Sequence, residues 1–263
     1  MRCVRGWFLL AGLVVGCHGD PVEPAAVDSG AVDAGSEVVA DAGLACPYVH
    51  GSKMVRIDAT AASYCIDTTE VTVGQFNEFL LDPARPFDAP DFCKSFADGR
   101  PTRNVVTNAS YPQVGVAWCW AFAYCKWAGK RLCRRIGSAD WEVPNDGRSE
   151  WVYACQNGVL ADRYPYGDTY QASACNTNGG GVKAVGTSPA CHGIGAPFDQ
   201  VMDMMGNAGE LDGDVGFLTT GEPNSARARG YTSVDGDRTC GDYADFGFGT
   251  AFPLQGFRCC DDP

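Results

Sequence analysis

The chain has 263 residues, 45% hydrophobic and 11% aromatic, enough to pack one large domain or two small ones. Its formal net charge of −12 excludes a nucleic-acid surface, because phosphate binding requires clustered Lys and Arg. With 33 Gly, 15 Pro and few long periodic runs, the composition predicts a loop-rich fold, not a helical bundle.

The first predicted element is an export signal. In MRCVRGWFLLAGLVVGC, Arg2 and Arg5 make a positive start, and Gly6–Gly16 is an apolar stretch too short to span a bilayer. The run ends Val14-Val15-Gly16-Cys17, which resembles a bacterial lipobox; an ordinary signal peptide with an incidental cysteine is the alternative. The resemblance implies a lipid on Cys17 that holds the protein to a membrane by burying about 0.8 kcal/mol per CH₂. It expects a cell-envelope location, at the outer membrane or cell surface, with the lipid as the sole membrane contact. Residues 18–45 carry six acids and no Lys or Arg, and read as a flexible acidic linker. From Cys46 the sequence is globular, with no second linker or repeat, so 46–263 is expected to be one monomeric domain.

In EVTVGQFNEFLLD, Thr72 and Gln75 can form a capping box for a helix that buries Phe76, Phe79 and Leu80. In VAWCWAFAYCKWAGKRL, Trp118, Ala121, Phe122, Cys125 and Ala128 share a helical face, and Gly129 is a natural stop. A third, shorter helix is expected in RSEWVYACQNG. Strands are expected at 54–57, 63–71 and 255–260, and the stretch 160–250 reads as loops held by cross-links and metal. The aromatics Trp118, Trp120, Phe122, Tyr124 and Trp127 read as core, not as a ligand platform.

Apart from Cys3 and Cys17, twelve of the 14 cysteines remain in an exported context, so disulfides are the default for each. The only histidines are His18, His50 and His192, too few for zinc sites or triads that need several imidazoles. Cys175 and Cys191 flank a Gly-rich loop and Cys46 and Cys65 the domain's start, so each pair is a candidate staple. Cys93, Cys119, Cys133 and Cys260 stay unassigned, since connectivity does not follow from sequence.

Four blocks stand in fixed order: YCIDTTEVTVGQFNEFL, VGVAWCWAFAYCKWAGKRL with SEWVYACQNG, YPYGD with CNTN and VMDMMGNAGEL, and LQGFRCC. Together they resemble the formylglycine-generating enzyme, or sulfatase-modifying-factor, family. The resemblance implies a compact, loop-rich α+β fold, C-type-lectin-like and disulfide-stabilised. Enzymes of that family oxidise a sulfatase cysteine to formylglycine, with copper held by two cysteines of a C-terminal loop. It also implies calcium held by Asp203, Gly206, Ala208 and Glu210, a hard cation suiting carboxylate and carbonyl oxygens. A solvated acidic turn is the alternative there. Asn176 and Thr177 match the start of a second calcium site whose acid is missing. The resemblance further implies disulfides Cys125–Cys259 and Cys155–Cys240.

The copper loop is where the chain departs. The family's Arg-Gly-Gly-Ser is matched by Arg229-Gly230-Tyr231-Thr232. Counted without gaps, its two copper cysteines fall on Asp235 and Cys240, and its structural cysteine on Asp245. A register with a short deletion puts Cys240 at the structural position, paired to Cys155, and the even cysteine count supports it. Either register loses the thiolate pair that copper(I) prefers, so copper is not expected and Cys240 is only a weak nucleophile candidate. The family's Gly-Asn-x-Trp-Glu-Trp has Gly209 and Leu211 where the tryptophans stand, and residues 133–149 look like an insertion. The expectation is a binding or envelope module that takes a protein or peptide ligand. The alternatives are an active formylglycine-generating oxidase and a calcium-dependent carbohydrate-binding module.

Overall fold

The computed structural model describes residues 46–97, 107–139, 148–158, 162–177, 179–217, 223–230 and 238–263. Cys17, the acidic stretch 18–45 and Asp235 lie outside the described residues. The elements run β1 (Met54–Asp58), β2 (Ser63–Asp67), α1 (Val73–Leu81), α2 (Trp118–Trp127), β3 (Arg131–Leu132) and α3 (Glu150–Cys155). They continue with β4 (Gly209–Phe217), β5 (Pro223–Arg229), β6 (Tyr243–Phe246), β7 (Gln255–Phe257) and β8 (Cys259–Asp261). Among the described residues no helix is long and apolar enough to cross a membrane.

The three helices form where local signals place them. The Gln75 amide donates to the Thr72 hydroxyl at 3.3 Å and the Thr72 amide to the Gln75 side chain at 2.9 Å, so the capping box satisfies two end groups of α1. Phe76 and Phe79 are fully buried, while Leu80 is half-buried. Helix α2 is buried almost all round. Trp118, Trp120 and Tyr124 are core residues, with Phe122 and Trp127 at its margin.

Two four-stranded sheets, in the orders β1-β2-β8-β3 and β6-β5-β4-β7, organise the domain. In the first, Val55, Ile57, Tyr64, Ile66 and Cys260 turn toward Trp151 and Val152 of α3. In the second, Leu211, Val215, Ala226, Ala228 and Phe257 pack with α1 and α2 in a separate core. Residues 160–250 are mostly loop, as expected, but they also contain the unexpected strands β4, β5 and β6. Their acids, arginines and glycines mask an apolar face made of only a few small and branched residues.

The expected single strand 255–260 is two strands in different sheets. Between them, Arg258 turns a fully buried side chain into the protein, and the Cys259 amide bonds the side-chain carboxylate of Asp67 at the end of the neighbouring β2 at 2.9 Å. The C-terminal segment thus ties the two sheets together.

Six disulfides lock this frame: Cys46–Cys65, Cys93–Cys119, Cys125–Cys259, Cys133–Cys260, Cys155–Cys240 and Cys175–Cys191. The two that hold β8 close the longest loops, with sequence separations of 134 and 127. In the chain-entropy account such closures stabilise by about 4–5 kcal/mol each.

Candidate functional site

The turn before β4 carries the first group of polar residues. Asp203 and Asn207 hold left-handed backbone, φ 58° and 57°, around Gly206 at φ 80°. A Cβ on Gly206 would lie 2.5 Å from the Asn176 carbonyl, so only glycine lets the chains approach here. The turn delivers Asp203 and Glu210 into the interior beside Glu70, and all three acids are buried. One cation faces them. Arg258 Nε and Nη2 donate to the two Glu210 oxygens at 2.5 and 2.6 Å, and Trp151 Nε1 adds a third bond at 2.8 Å. The Asn207 side chain donates to Glu70 at 2.9 Å and the Gly186 amide to Asp203 at 2.5 Å.

Three carboxylates against one guanidinium leave a surplus of buried negative charge. Burial, then the charges of Asp203 and Glu210, pushes Glu70 well above the ordinary carboxylate range, and burial raises Asp203. Burial works against the charge of Arg258, but Glu210 and then the other two acids more than offset it. Glu70 Oε2 has no hydrogen-bond partner. An all-oxygen site with surplus charge and an orphaned oxygen has the donor chemistry of a hard cation. Both Glu210 oxygens already accept from Arg258 or Trp151, however, and Glu70, Asp203 and Glu210 do not bring donor atoms within 4.8 Å of one another, so the residues as placed do not assemble the calcium site expected at Asp203, Gly206, Ala208 and Glu210.

Sequence reasoning missed Glu70, Trp151 and Arg258. An acid directly before a capped helix start was the available signal for Glu70. Among the described residues, one group of three ligand-type side chains has donor atoms within 4.8 Å of one another: Cys133, Glu150 and Cys260. It is no metal centre, because the two cysteines form a disulfide and Arg131 holds Glu150 at 2.7 Å.

The outer face of the second sheet forms the other polar layer. Between the pairs Leu211–Ala228 and Val215–Ala226, β4 bulges, so Asp212, Gly213 and Asp214 stand opposite Arg227 alone. Arg229 bonds both acids, Asp212 through Nε and Asp214 through Nη2 at 2.9 Å. Arg227 pairs with Asp245 at 3.1 Å and lies 3.6 Å above the Tyr243 ring. Burial, then the neighbouring Asp212, raises Asp214 to about 9. Asp214 Oδ1 and Arg227 Nη1 are buried without partners. This face leads through Gly230 into residues 231–237, outside the described residues.

Cys240 closes the far side of that segment. It is fully buried and bonded to Cys155 of α3, and its amide donates to the Arg163 carbonyl at 2.8 Å. All twelve cysteines from Cys46 onward lie in the six disulfides. Copper(I) needs soft thiolate donors, and the residues present do not supply a pair of them. Leu211, where the family has an aromatic, is buried in the apolar core.

The sulfatase-modifying factor enzyme 1-like domain family matches residues 25–262, a match that begins inside the acidic stretch. A formylglycine-generating enzyme of Mycobacterium tuberculosis is 32% identical over 136 residues, covering 46% of this chain and 39% of that protein. The formylglycine-generating enzyme of Mus musculus is 32% identical over 71 residues, covering 27% of this chain and 16% of its own length. An inactive C-alpha-formylglycine-generating enzyme 2 of Bos taurus is 32% identical over 76 residues, covering 29% and 21%. The chain thus matches well under half the length of each of these relatives. The solved structure of PvdO from Pseudomonas aeruginosa superposes with a TM-score of 0.48 at 17% identity, covering 82% of this chain and 92% of that one. On its near full-length match, the chain belongs to the sulfatase-modifying factor enzyme 1-like family.

Proposed function

We propose that this protein is a lipid-anchored envelope module that keeps its family's scaffold and binds a protein or peptide without copper oxidase chemistry. One observation carries the reading: Cys240, the sole cysteine of the former copper loop, is bonded to Cys155. Active and inactive formylglycine-generating enzymes match this chain at the same 32% identity, so similarity alone does not separate the two functions. The cysteine inventory supports the inactive reading. With every cysteine from Cys46 onward cross-linked, the described residues offer no thiol to bind copper(I) or to attack a substrate.

The loop region beside Arg229 and Cys240 then serves as a recognition surface. Arg229, where that loop begins, belongs to a buried charged layer with Asp212, Asp214 and Arg227, and buried Gly209 and Leu211 stand where the family has aromatics. The anchor is the lipid on Cys17.

Alkylation of the mature protein without reduction, followed by peptide mass spectrometry, tests this reading. Expected are no alkylated cysteine in 46–263, a Cys155–Cys240 linked peptide, a lipid mass on Cys17 and no copper(I) uptake. An alkylated Cys240 that binds copper, with conversion of a sulfatase-derived cysteine peptide to formylglycine, would establish the oxidase instead.

A further inference from the structure

A cleft of about 510 Å³ opens between α2, β3 and the end of β8, and none of its lining residues belongs to the acid cluster or to the copper-loop segment. Its volume falls in the range of small-molecule sites, roughly 300–1,000 Å³. Gly213 of the β4 bulge forms part of its wall; a Cβ there would come within 2.9 Å of the Cys133 carbonyl, so the close approach depends on glycine. The Cys133–Cys260 disulfide ties two sides of the same frame together.

The chemistry of the cleft lies in two guanidiniums that converge on one exposed carboxylate. Arg131 donates to Asp262 at 2.7 Å, and Arg134 donates to the same carboxylate at 2.9 and 3.1 Å. Asp262 is 65% exposed, whereas Arg131 and Arg134 are 15% and 18% exposed. Each arginine also keeps a buried Nε–H with no partner. Arg131 has a second acid in the buried Glu150, and among the described residues the Arg134 guanidinium bonds Asp262 and the Ala139 carbonyl at 2.8 Å. Lys126 lines the cleft, exposed and without a carboxylate partner among the described residues. Asp261 also faces the cleft, so with Asp262 turned outward Arg131 keeps Glu150 while Lys126 and Arg134 are left with Asp261, and Lys130 stays paired to Asp67. Phe122 and Leu132 supply apolar wall.

The Arg131 fork grips Glu150 through both Nη1 and Nη2, and the same Nη2 meets Arg134 Nη2 at the Asp262 carboxylate, a pair of guanidinium donors suited to a carboxylate or a phosphoryl group. An exposed side chain held only by surface pairs is displaced at small cost. We propose that this cleft binds a small organic anion whose charged group replaces Asp262 on Arg131 and Arg134 while its apolar part meets Phe122 and Leu132. Arg134 and Ala139 come from the 133–149 stretch, and Lys126, Arg131 and Leu132 from α2 and β3 before it.

Isothermal titration of the full-length protein at low salt with phenyl phosphate and with benzoate tests the site. Saturable one-site binding of at least one probe is expected, and the tighter probe identifies the charged group. Arg134→Met should weaken binding at least tenfold. Asp262→Asn, which removes the internal competitor, should tighten it about threefold, the range of a surface ion pair. Lys53→Gln, outside the cleft, should leave affinity unchanged. No saturable binding of either probe by 10 mM (roughly the weak limit of a specific site), or binding that Arg134→Met retains, overturns the proposal. Should Arg134→Met not fold, Asp262→Asn decides alone, and unchanged or weaker binding by that variant overturns it.

Discussion

Asp212 and Asp214 show how one buried position responds to its neighbours. A single guanidinium, Arg229, serves both acids, and Arg227 faces them from the same strand with its own partner in Asp245. Deprotonating both acids would leave two buried negative charges on one bonded cation, so Asp214 keeps its proton up to about 9 while its ordinary value is 3.8. Across that window the folded protein holds a proton that the unfolded chain releases. Stability is therefore fully present below about pH 4 and falls as pH rises toward 9. Asp214→Asn keeps an oxygen for Arg229 and removes the titration. The variant should lose at least about 1 kcal/mol less stability than the parent between pH 5 and pH 9, which urea midpoints at the two pH values measure. An identical slope in both proteins would assign the proton elsewhere. In the sequence these acids read as loop polarity, because a buried carboxyl and an exposed one are the same letter.

At the scale of elements, the helices were legible and the second sheet was not. Helix α1 carries its start in Thr72 and Gln75 and its buried face in Phe76 and Phe79, all within one short window. Thr72→Ala should cost about 1 kcal/mol, read as a lower thermal midpoint, with the fold unchanged by circular dichroism. Strand β4 has no such window. Its alternation is broken where the bulge places three residues opposite Arg227, and its apolar face shows only Leu211 and Val215. The partner strand offers Ala226 and Ala228, which carry little strand preference. What makes these segments a sheet is the long-range pairing with β6 and β7 and the ion pairs on the outer face, and no local pattern contains either. Arg258 likewise splits an apparent single strand because its guanidinium partner, Glu210, lies in another part of the chain.

For the molecule as a whole, cross-links take the place of much regular structure. Calcium at Asp203, Gly206, Ala208 and Glu210 would add positive charge beside Glu70, Asp203 and Glu210, of which, among the described residues, Glu210 is bonded by the single cation Arg258. Chelation should then lower the thermal midpoint, and calcium at a hundredfold over its dissociation constant should restore about 2.7 kcal/mol. A midpoint indifferent to chelator, with no calcium in elemental analysis, would leave the acid cluster as a purely structural network. The sequence by itself determined the family resemblance and the start of α1, and offered Cys46–Cys65 and Cys175–Cys191 as candidate pairs that the structure forms, because short motifs and near neighbours are local information. Only the tertiary structure decided the partners of Cys93, Cys119, Cys133 and Cys260, the second sheet, the burial of Glu70 beside Asp203 and Glu210, and the cleft at Arg131 and Arg134. Each joins residues far apart in the chain, and which distant side chains share a low-dielectric space is set by how the sheets and helices pack, not by any neighbouring residue.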